Sequence, residues 1–290
     1  MKIIEHITDY KSRSDVFTLY PLMDIHLGTR ACDEERLDHM LDEIARDKYG
    51  FYLLGGDNVD CINAKDPRFD PRLLPPWLLD RWVQTGDLAA AQREELIARL
   101  TSRDGLRGKC LGVVEGNHET AIYRHTETNV YDPLVEALRV DGESLALGYE
   151  GFIVWRFRRL ECHDTWTVVI YVNHGWGGGD LAGGIALKLE RQMDRFDADV
   201  YLLGHHHKIQ SIVQSRPLRV NAGLHLEQPP DRIGAVCGSF IVGRLENIGT
   251  YPEAKGYRLT PRNGQVLVKI TPDKKRIELV ERVIHDAAVM

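Results

Sequence analysis

Five apolar runs in this 290-residue chain each end in a short segment dense in Asp, Asn, His and Gly. The segments are Asp24-Ile25-His26, Gly56-Asp57-Asn58-Val59-Asp60, Gly116-Asn117-His118-Glu119, Asn173-His174-Gly175 and Gly204-His205-His206-His207. In this order they supply carboxylate, amide and imidazole groups at strand ends, the donor set of a two-metal hydrolytic site. Two divalent ions about 3.5–4 Å apart can hold a phosphate ester and activate the attacking water. A single Asp-x-His means little; five such pieces in series point to one chemistry.

The runs between these segments set the fold class. Val16 to Met23, Phe51 to Leu54, Lys109 to Val114, Thr167 to Val172 and Val200 to Leu203 have the length and apolarity of buried strands. Leu37, Met40, Leu41 and Ile44 recur at helical spacing within Glu34 to Lys48, and Leu88 to Leu100 and Ile185 to Phe196 also read as helices. Further strands are expected at Phe152–Phe157, Leu218–Val220, Ser239–Val242, Val266–Ile270 and Ile277–Val283, the last two as a hairpin. Strands separated first by helices and then by turns suit an α/β fold of two mixed β-sheets with helices outside.

Alternation along an extended strand would let Asp24 and His26 reach one ion together. The same rule places His205 and His207 on one side and leaves His206 as a bystander. The glycines before Asp57 allow a tight turn. Asp66 to Trp82 carries four prolines and three large aromatic residues. It reads as an ordered insertion that either roofs the cleft or packs outside it.

Composition narrows the classes. A hydrophobic fraction of 43% sustains a core, and a net charge of -6 argues against an exclusively electrostatic nucleic-acid binder. It leaves a nuclease open, because bound cations and local arginines reverse the field at a site. Five cysteines without C-x-x-C spacing suggest reduced thiols in a cytosol-like compartment. The charged N-terminus is unlike a signal peptide and no apolar run has membrane-spanning length, so a cytoplasmic protein is expected, in the host cytoplasm if phage-encoded.

The order D-x-H, G-D-x-x-D, G-N-H-E, H, G-H-x-H resembles the calcineurin-like metallophosphoesterase superfamily, from Asp24 to His207. The resemblance implies a four-layer αββα sandwich. It implies one domain over residues 1–290, with a Pro/Trp-rich insertion near 62–86 and a β-rich extension near 236–290. It also implies Asp57 as a ligand bridging two ions, with Asp24, His26 and His207 completing one site and Asn117, His174 and His205 the other. His118 would face the substrate and protonate the leaving oxygen. Asp60 and Glu119 are the expected carboxylates that orient imidazoles, Glu119 by holding His118 protonated. A donor set without thiolate suits Mn²⁺, with Fe or Zn²⁺ as alternatives.

Within the superfamily, Asp24-Ile25-His26-Leu27-Gly28 looks like the opening motif of Mre11/SbcD-type nucleases, and the later region from Gly238 through Gly256-Tyr257 is similar to phosphoesterases of tailed phages. The expected function is a phosphodiesterase using a two-metal-activated hydroxide, and within that class a nuclease on DNA or RNA. A small-molecule or cyclic-nucleotide phosphodiesterase is the alternative. A protein phosphatase is disfavoured because Cys61-Ile62 and Glu115 stand where phosphate-binding arginines are expected. A non-catalytic scaffold is disfavoured because the full donor set is retained. With no Walker motif, any ATPase or repair partner would be a separate chain. Trp155-Arg156-Phe157-Arg158-Arg159 is either a nucleic-acid contact or an amphipathic strand with a solvated basic face. The glycine-rich stretch Gly175 to Gly184 reads as a flexible rim.

Overall fold

In the computed structural model, the residues described are 1–66, 69–160, 164–179, 181–243, 245, 248–249 and 262–285. Gly256-Tyr257 and Cys162-His163 lie outside them. The chain runs β1 (Lys2–Tyr10), β2 (Phe17–Leu22), α1 (Glu34–Arg46), β3 (Gly50–Gly55), α2 (Pro76–Thr85), α3 (Leu88–Thr101) and β4 (Cys110–Val114). It continues through α4 (Asn117–Thr126), α5 (Tyr131–Ala137), β5 (Ala146–Gly148), β6 (Glu150–Arg159), β7 (Thr165–Asn173) and α6 (Ala182–Arg195). The remaining strands are β8 (Val200–Leu203), β9 (Ile209–Gln214), β10 (Arg219–Val220), β11 (Leu226–Glu227), β12 (Arg232–Ser239), β13 (Arg262–Thr271) and β14 (Arg276–His285).

Two mixed sheets form from these strands. One has the order β1-β6-β7-β8-β12-β9 and the other β14-β13-β2-β3-β4-β5. They are not fully separate, because Gly238 and Ser239 at the end of β12 pair with Gln265 and Gly264 of β13. The hydrogen-bond ladder therefore turns a corner from one sheet into the other.

Strand alternation sorts the side chains into layers. Phe17 and Leu19 of β2, Leu53 of β3, Trp155 and Phe157 of β6, and Val168 and Ile170 of β7 meet between the sheets. Tyr20, Leu22 and Leu54 face the other way, onto Leu37, Leu41 and Ile44 of α1, Leu96 of α3 and Leu134 of α5. Tyr171, Tyr201 and Val236 cover the outer face of the second sheet against Ile185, Leu189 and Met193 of α6. Helices, sheet, sheet and helix stack as four layers, αββα.

Several expectations change here. The charged N-terminal segment is a nine-residue strand, paired in parallel with β6. Of the expected strand Ser239–Val242 only Ser239 is in a strand, as the last residue of β12, whose glycines at 234 and 238 hide its periodicity, and Ile241 makes an isolated bridge to Cys32. Trp155 and Phe157 are core residues, while Arg156, Arg158 and Arg159 pair with Glu5, Asp9 and Asp273. The stretch forms an amphipathic strand whose three arginines each face a carboxylate. The Pro/Trp-rich segment packs outside: Leu78 sits on Leu88 and Ala91 of α3, and the Trp77 indole donates to Glu34 of α1.

The parallel register of β2, β3 and β4, and of β7 and β8, brings five carboxyl ends to one edge. Open α/β sheets bind ligands at such edges. Each of the five polar segments leaves one of these strands.

Candidate metal centre

Asp24 and His26 follow β2, Asp57 follows β3, Asn117 opens α4 after β4, His174 follows β7, and His205 and His207 follow β8. The structure gathers them into overlapping clusters, Asp24–His26–His207, Asp57–His174–His205 and His26–Asp57–His118, with ligand atoms in each within 4.8 Å of one another.

The backbone that does this is not extended. Asp24, His26, Asp57, His205 and His207 all have positive φ, between 47° and 69°. The alternation argument thus gives the right partners for the wrong reason: Asp24, His26, His205 and His207 converge through left-handed turns. Such a conformation costs a non-glycine residue about 1–2 kcal/mol. It persists because the loops are hydrogen-bonded to each other: His26 N–H donates to Asp57 O at 2.9 Å, and His205 N–H donates to the Asp24 carboxylate at 2.8 Å. Gly56 is required beside them. Its φ is 88°, and a Cβ there would lie 2.6 Å from His174 Nδ1.

Three of the imidazoles have one ring nitrogen anchored on a backbone carbonyl. His174 Nδ1 contacts Gly55 O at 3.0 Å, His118 Nδ1 contacts Asp60 O at 2.6 Å, and His205 Nε2 contacts Gly177 O at 3.0 Å. A carbonyl only accepts, so each of these nitrogens is the protonated one. The opposite nitrogen of His205 then offers a lone pair to the centre, and that of His174 would do so once a bound cation displaces the proton that Asp57 favours there. His26 follows the same plan, with Nδ1 3.4 Å from the Asp60 carboxylate. Asp60 thus faces the His26 ring.

Glu119 does not hold His118. Its buried carboxylate accepts from the backbone amides of Asp57, Asn58 and Gly116 and from the Asn58 side chain. The physical reason is the helix start: Glu119 is the third residue of α4 and reaches back over unpaired amides. It shapes the Asp57 turn instead. Burial and the nearby Asp57 charge push Glu119 up to about 7.

Electrostatics favour cations here. Burial opposes ionisation of Asp57, yet His118, His174 and His26 hold its carboxyl well below the usual range. Burial also opposes a charged His174, but Asp57 raises that ring to about 10. Burial lowers His26 and His205, leaving both neutral and able to donate lone pairs. Asp24 is wholly buried, and among the described residues its Oδ1 makes no hydrogen bond, lying 3.3 Å from His207 Nε2.

Spacing agrees with metal ligation. Two ligands on one ion lie roughly 3.0–3.4 Å apart at metal–nitrogen bonds of about 2.0–2.1 Å. His26 Nε2 is 3.2 Å from His207 Nε2, which is 3.3 Å from Asp24 Oδ1. On the other side His174 Nε2 is 3.0 Å from Asn117 Oδ1 and 3.3 Å from Asp57 Oδ2. Asn117 Oδ1 is 2.8 Å from His205 Nδ1. Asp57 Oδ2 is 3.7 Å from His26 Nε2 as well, so one carboxylate serves both halves. These residues fit two divalent ions. His206 stays out of the clusters, with its ring 3.4 Å from Lys188 Nζ.

Two supporting residues escaped the sequence reading. Lys188 of α6 donates to Trp176 O and Gly178 O, which ties down the glycine-rich rim that anchors His205. Gln92 of α3 is fully buried and accepts from Cys61 N–H just past Asp60. A polar residue in the Leu88–Gln92–Leu96 stripe was its available signal.

A protein with such a pre-formed site should be stabilised by the ion it takes. Adding Mn²⁺ at 100 times its dissociation constant should raise unfolding stability by about 2.7 kcal/mol for one ion. Thermal melts in Mn²⁺ and EDTA measure this; coincident melts would rule out tight binding.

No family model and no curated protein matches the chain. Among solved structures it is similar to a conserved uncharacterised protein, titled a predicted phosphoesterase, from Streptococcus pneumoniae. That match has 13% identity and a TM-score of 0.33, covering 92% of this chain and 99% of the other. It is also similar to a single mutant of Vps29 from Entamoeba histolytica, at 14% identity and a TM-score of 0.36, with the same coverages of 92% and 99%. Overlaps this remote carry no weight in themselves; the chain's own residues do. The order of its motifs and its αββα layers are those that the resemblance to the calcineurin-like metallophosphoesterases implies.

Proposed function

We propose that this protein is a binuclear metal-dependent phosphodiesterase whose substrate class is nucleic acid. The observation that carries the reading is Asp57 Oδ2, lying between the His26 and His174 nitrogens and 3.9 Å from His118 Nε2. Two bound divalent ions would supply charge for the phosphoryl oxygens and lower the pKa of an attacking water. Asn117 is a neutral donor, so the centre keeps net positive charge for an anionic ester. His118 is positioned by Asp60 O through Nδ1, and its Nε2 is directed toward the shared carboxylate, where a departing alkoxide would need a proton. His118 is the catalytic residue of this reading.

The test is hydrolysis of bis-p-nitrophenyl phosphate and of labelled single- and double-stranded DNA in Mn²⁺ or EDTA. Cleavage of both diester and DNA, abolished by EDTA, is the expected result. Diester cleavage with intact DNA would replace nucleic acid by a small nucleotide substrate. Absence of turnover with Mn²⁺, Fe²⁺ and Zn²⁺ would overturn the hydrolase reading.

A further inference from the structure

Beside the His174 half of the centre lies a cavity of about 510 Å³. Pockets for small organic ligands generally fall within about 300–1,000 Å³. It shares Asn117 and His174 with the centre, so an occupant would adjoin whatever phosphate is held there. Four elements wall it: α4, the turn into β6, the end of β7 with the glycine-rich rim, and α6.

Three properties of this wall point to one kind of occupant. Two aromatic side chains line it while still exposed, Tyr149 at 52% and Trp176 at 43%. Exposed rings beside a polar cavity are platforms for a flat partner, and base–aromatic stacking is worth about 1–3 kcal/mol per base. Arg124 and Arg195 also line the cavity without a salt bridge among the described residues, Arg124 in the field of Glu115 and the Arg195 guanidinium over the Phe196 ring at 4.8 Å. This differs from the arginines of β6, each of which is neutralised by a carboxylate. The deep side is polar, where Glu150 accepts from Asn173 Nδ2 at 3.0 Å. That leaves hydrogen-bonding edges for a heteroaromatic ring.

We infer that this cavity is a binding site for one unpaired nucleotide, with its base on the Tyr149/Trp176 wall and its phosphate at the Asn117–His174 end. Base-paired nucleic acid would keep its bases stacked inside the duplex, away from these rings. The site therefore selects single-stranded ends or free nucleotides over continuous duplex. The inference rests on the phosphodiesterase reading for the identity of the adjoining phosphate.

The rim is built to hold this wall. Lys188 fastens the backbone of Trp176, and Tyr149 O accepts from His174 N–H at 3.3 Å. Both rings are thus attached to segments that carry or anchor metal-site histidines, and their spacing from the centre is set by the fold.

Calorimetric binding of thymidine 5′-monophosphate and of methyl phosphate to the full chain, in Mn²⁺ and again in EDTA, tests the inference. The two probes share a phosphomonoester and differ in the nucleoside. In Mn²⁺ the nucleotide should bind at least tenfold more tightly than methyl phosphate, on the scale of one stacked base. Tyr149→Ala with Trp176→Ala should bring the two within twofold, whereas Trp176→Phe, which keeps a ring, should retain most of the preference. EDTA should weaken both probes and preserve their ratio. Equal affinities in the wild type, or a preference untouched by the double alanine variant, would overturn the site. Failure of diester hydrolysis would remove the enzyme reading alone, because this readout is binding.

Discussion

Asp57→Asn should lower Mn²⁺ affinity by about 10²–10⁴-fold and abolish hydrolysis at micromolar metal. The shared carboxylate lies at 3.7 Å from the His26 nitrogen and 3.3 Å from the His174 nitrogen, so one substitution weakens both halves together. Removing one partner from a buried charge pair costs about 3–5 kcal/mol, and each 1.4 kcal/mol is a factor of ten. The amide keeps the shape of the side chain and retains an oxygen for His118 N–H, which Asp57 Oδ1 accepts at 2.9 Å. Loss of affinity would therefore report charge, not collapse of the turn. Calorimetric titration with Mn²⁺ measures it; two sites of unchanged affinity would dismiss Asp57 as the common ligand.

The same variant has a signature without metal. His174 is raised to about 10 mainly by Asp57 working against burial, so its ring should titrate lower once that charge is gone. A raised histidine stabilises the folded chain fully below its unfolded value near 6.5 and loses that contribution as pH climbs through 10. In EDTA, wild-type stability should accordingly fall between those limits, and Asp57→Asn should flatten the fall. Urea unfolding at stepped pH reads both.

His118→Ala should leave metal content unchanged and reduce DNA cleavage by about 10²–10⁴-fold, the usual range for losing a general acid. Its Nδ1 is committed to Asp60 O, and its Nε2 stands 3.9 Å from Asp57 Oδ2, beyond the spacing of the ligand pairs. Leaving-group dependence makes the result diagnostic. A DNA alkoxide needs a proton as it departs, whereas p-nitrophenolate leaves well without one. Hydrolysis of bis-p-nitrophenyl phosphate should fall much less than DNA cleavage. Equal losses on both substrates, or loss of an ion, would recast His118 as a ligand in the His26–Asp57–His118 cluster.

What the sequence disclosed and what it withheld divide along physical lines. The strands ending at Asp24, Asp57, Asn117, His174 and His205 could be read because buried parallel strands are continuous apolar runs. β1 could not, since as an edge strand it alternates Ile4 inward with Glu5 and Ile7 outward and reads as a charged leader. The donor residues were visible through their types and order. Their anchors were not, because Gly55 O, Asp60 O and Gly177 O are backbone atoms that leave no mark on residue identity. Glu119 was seen and misplaced: proximity in sequence suggested His118, while the helix geometry sends its carboxylate back to Asp57 and Asn58.

The left-handed backbone around the centre has a bearing on protein engineering. Six of the non-glycine residues with positive φ, Asp24, His26, Asp57, Cys61, His205 and His207, cluster in the loops at this edge. Glycine at such positions commonly relieves strain. A screen for thermostable variants, run in EDTA and blind to activity, would be drawn to these codons. Its winners at Asp24, His26, Asp57, His205 and His207 would be inactive, since those strained residues supply the side chains of the centre. Stabilising this protein without disabling it means working on the far edges of the sheets and leaving the strained loops alone.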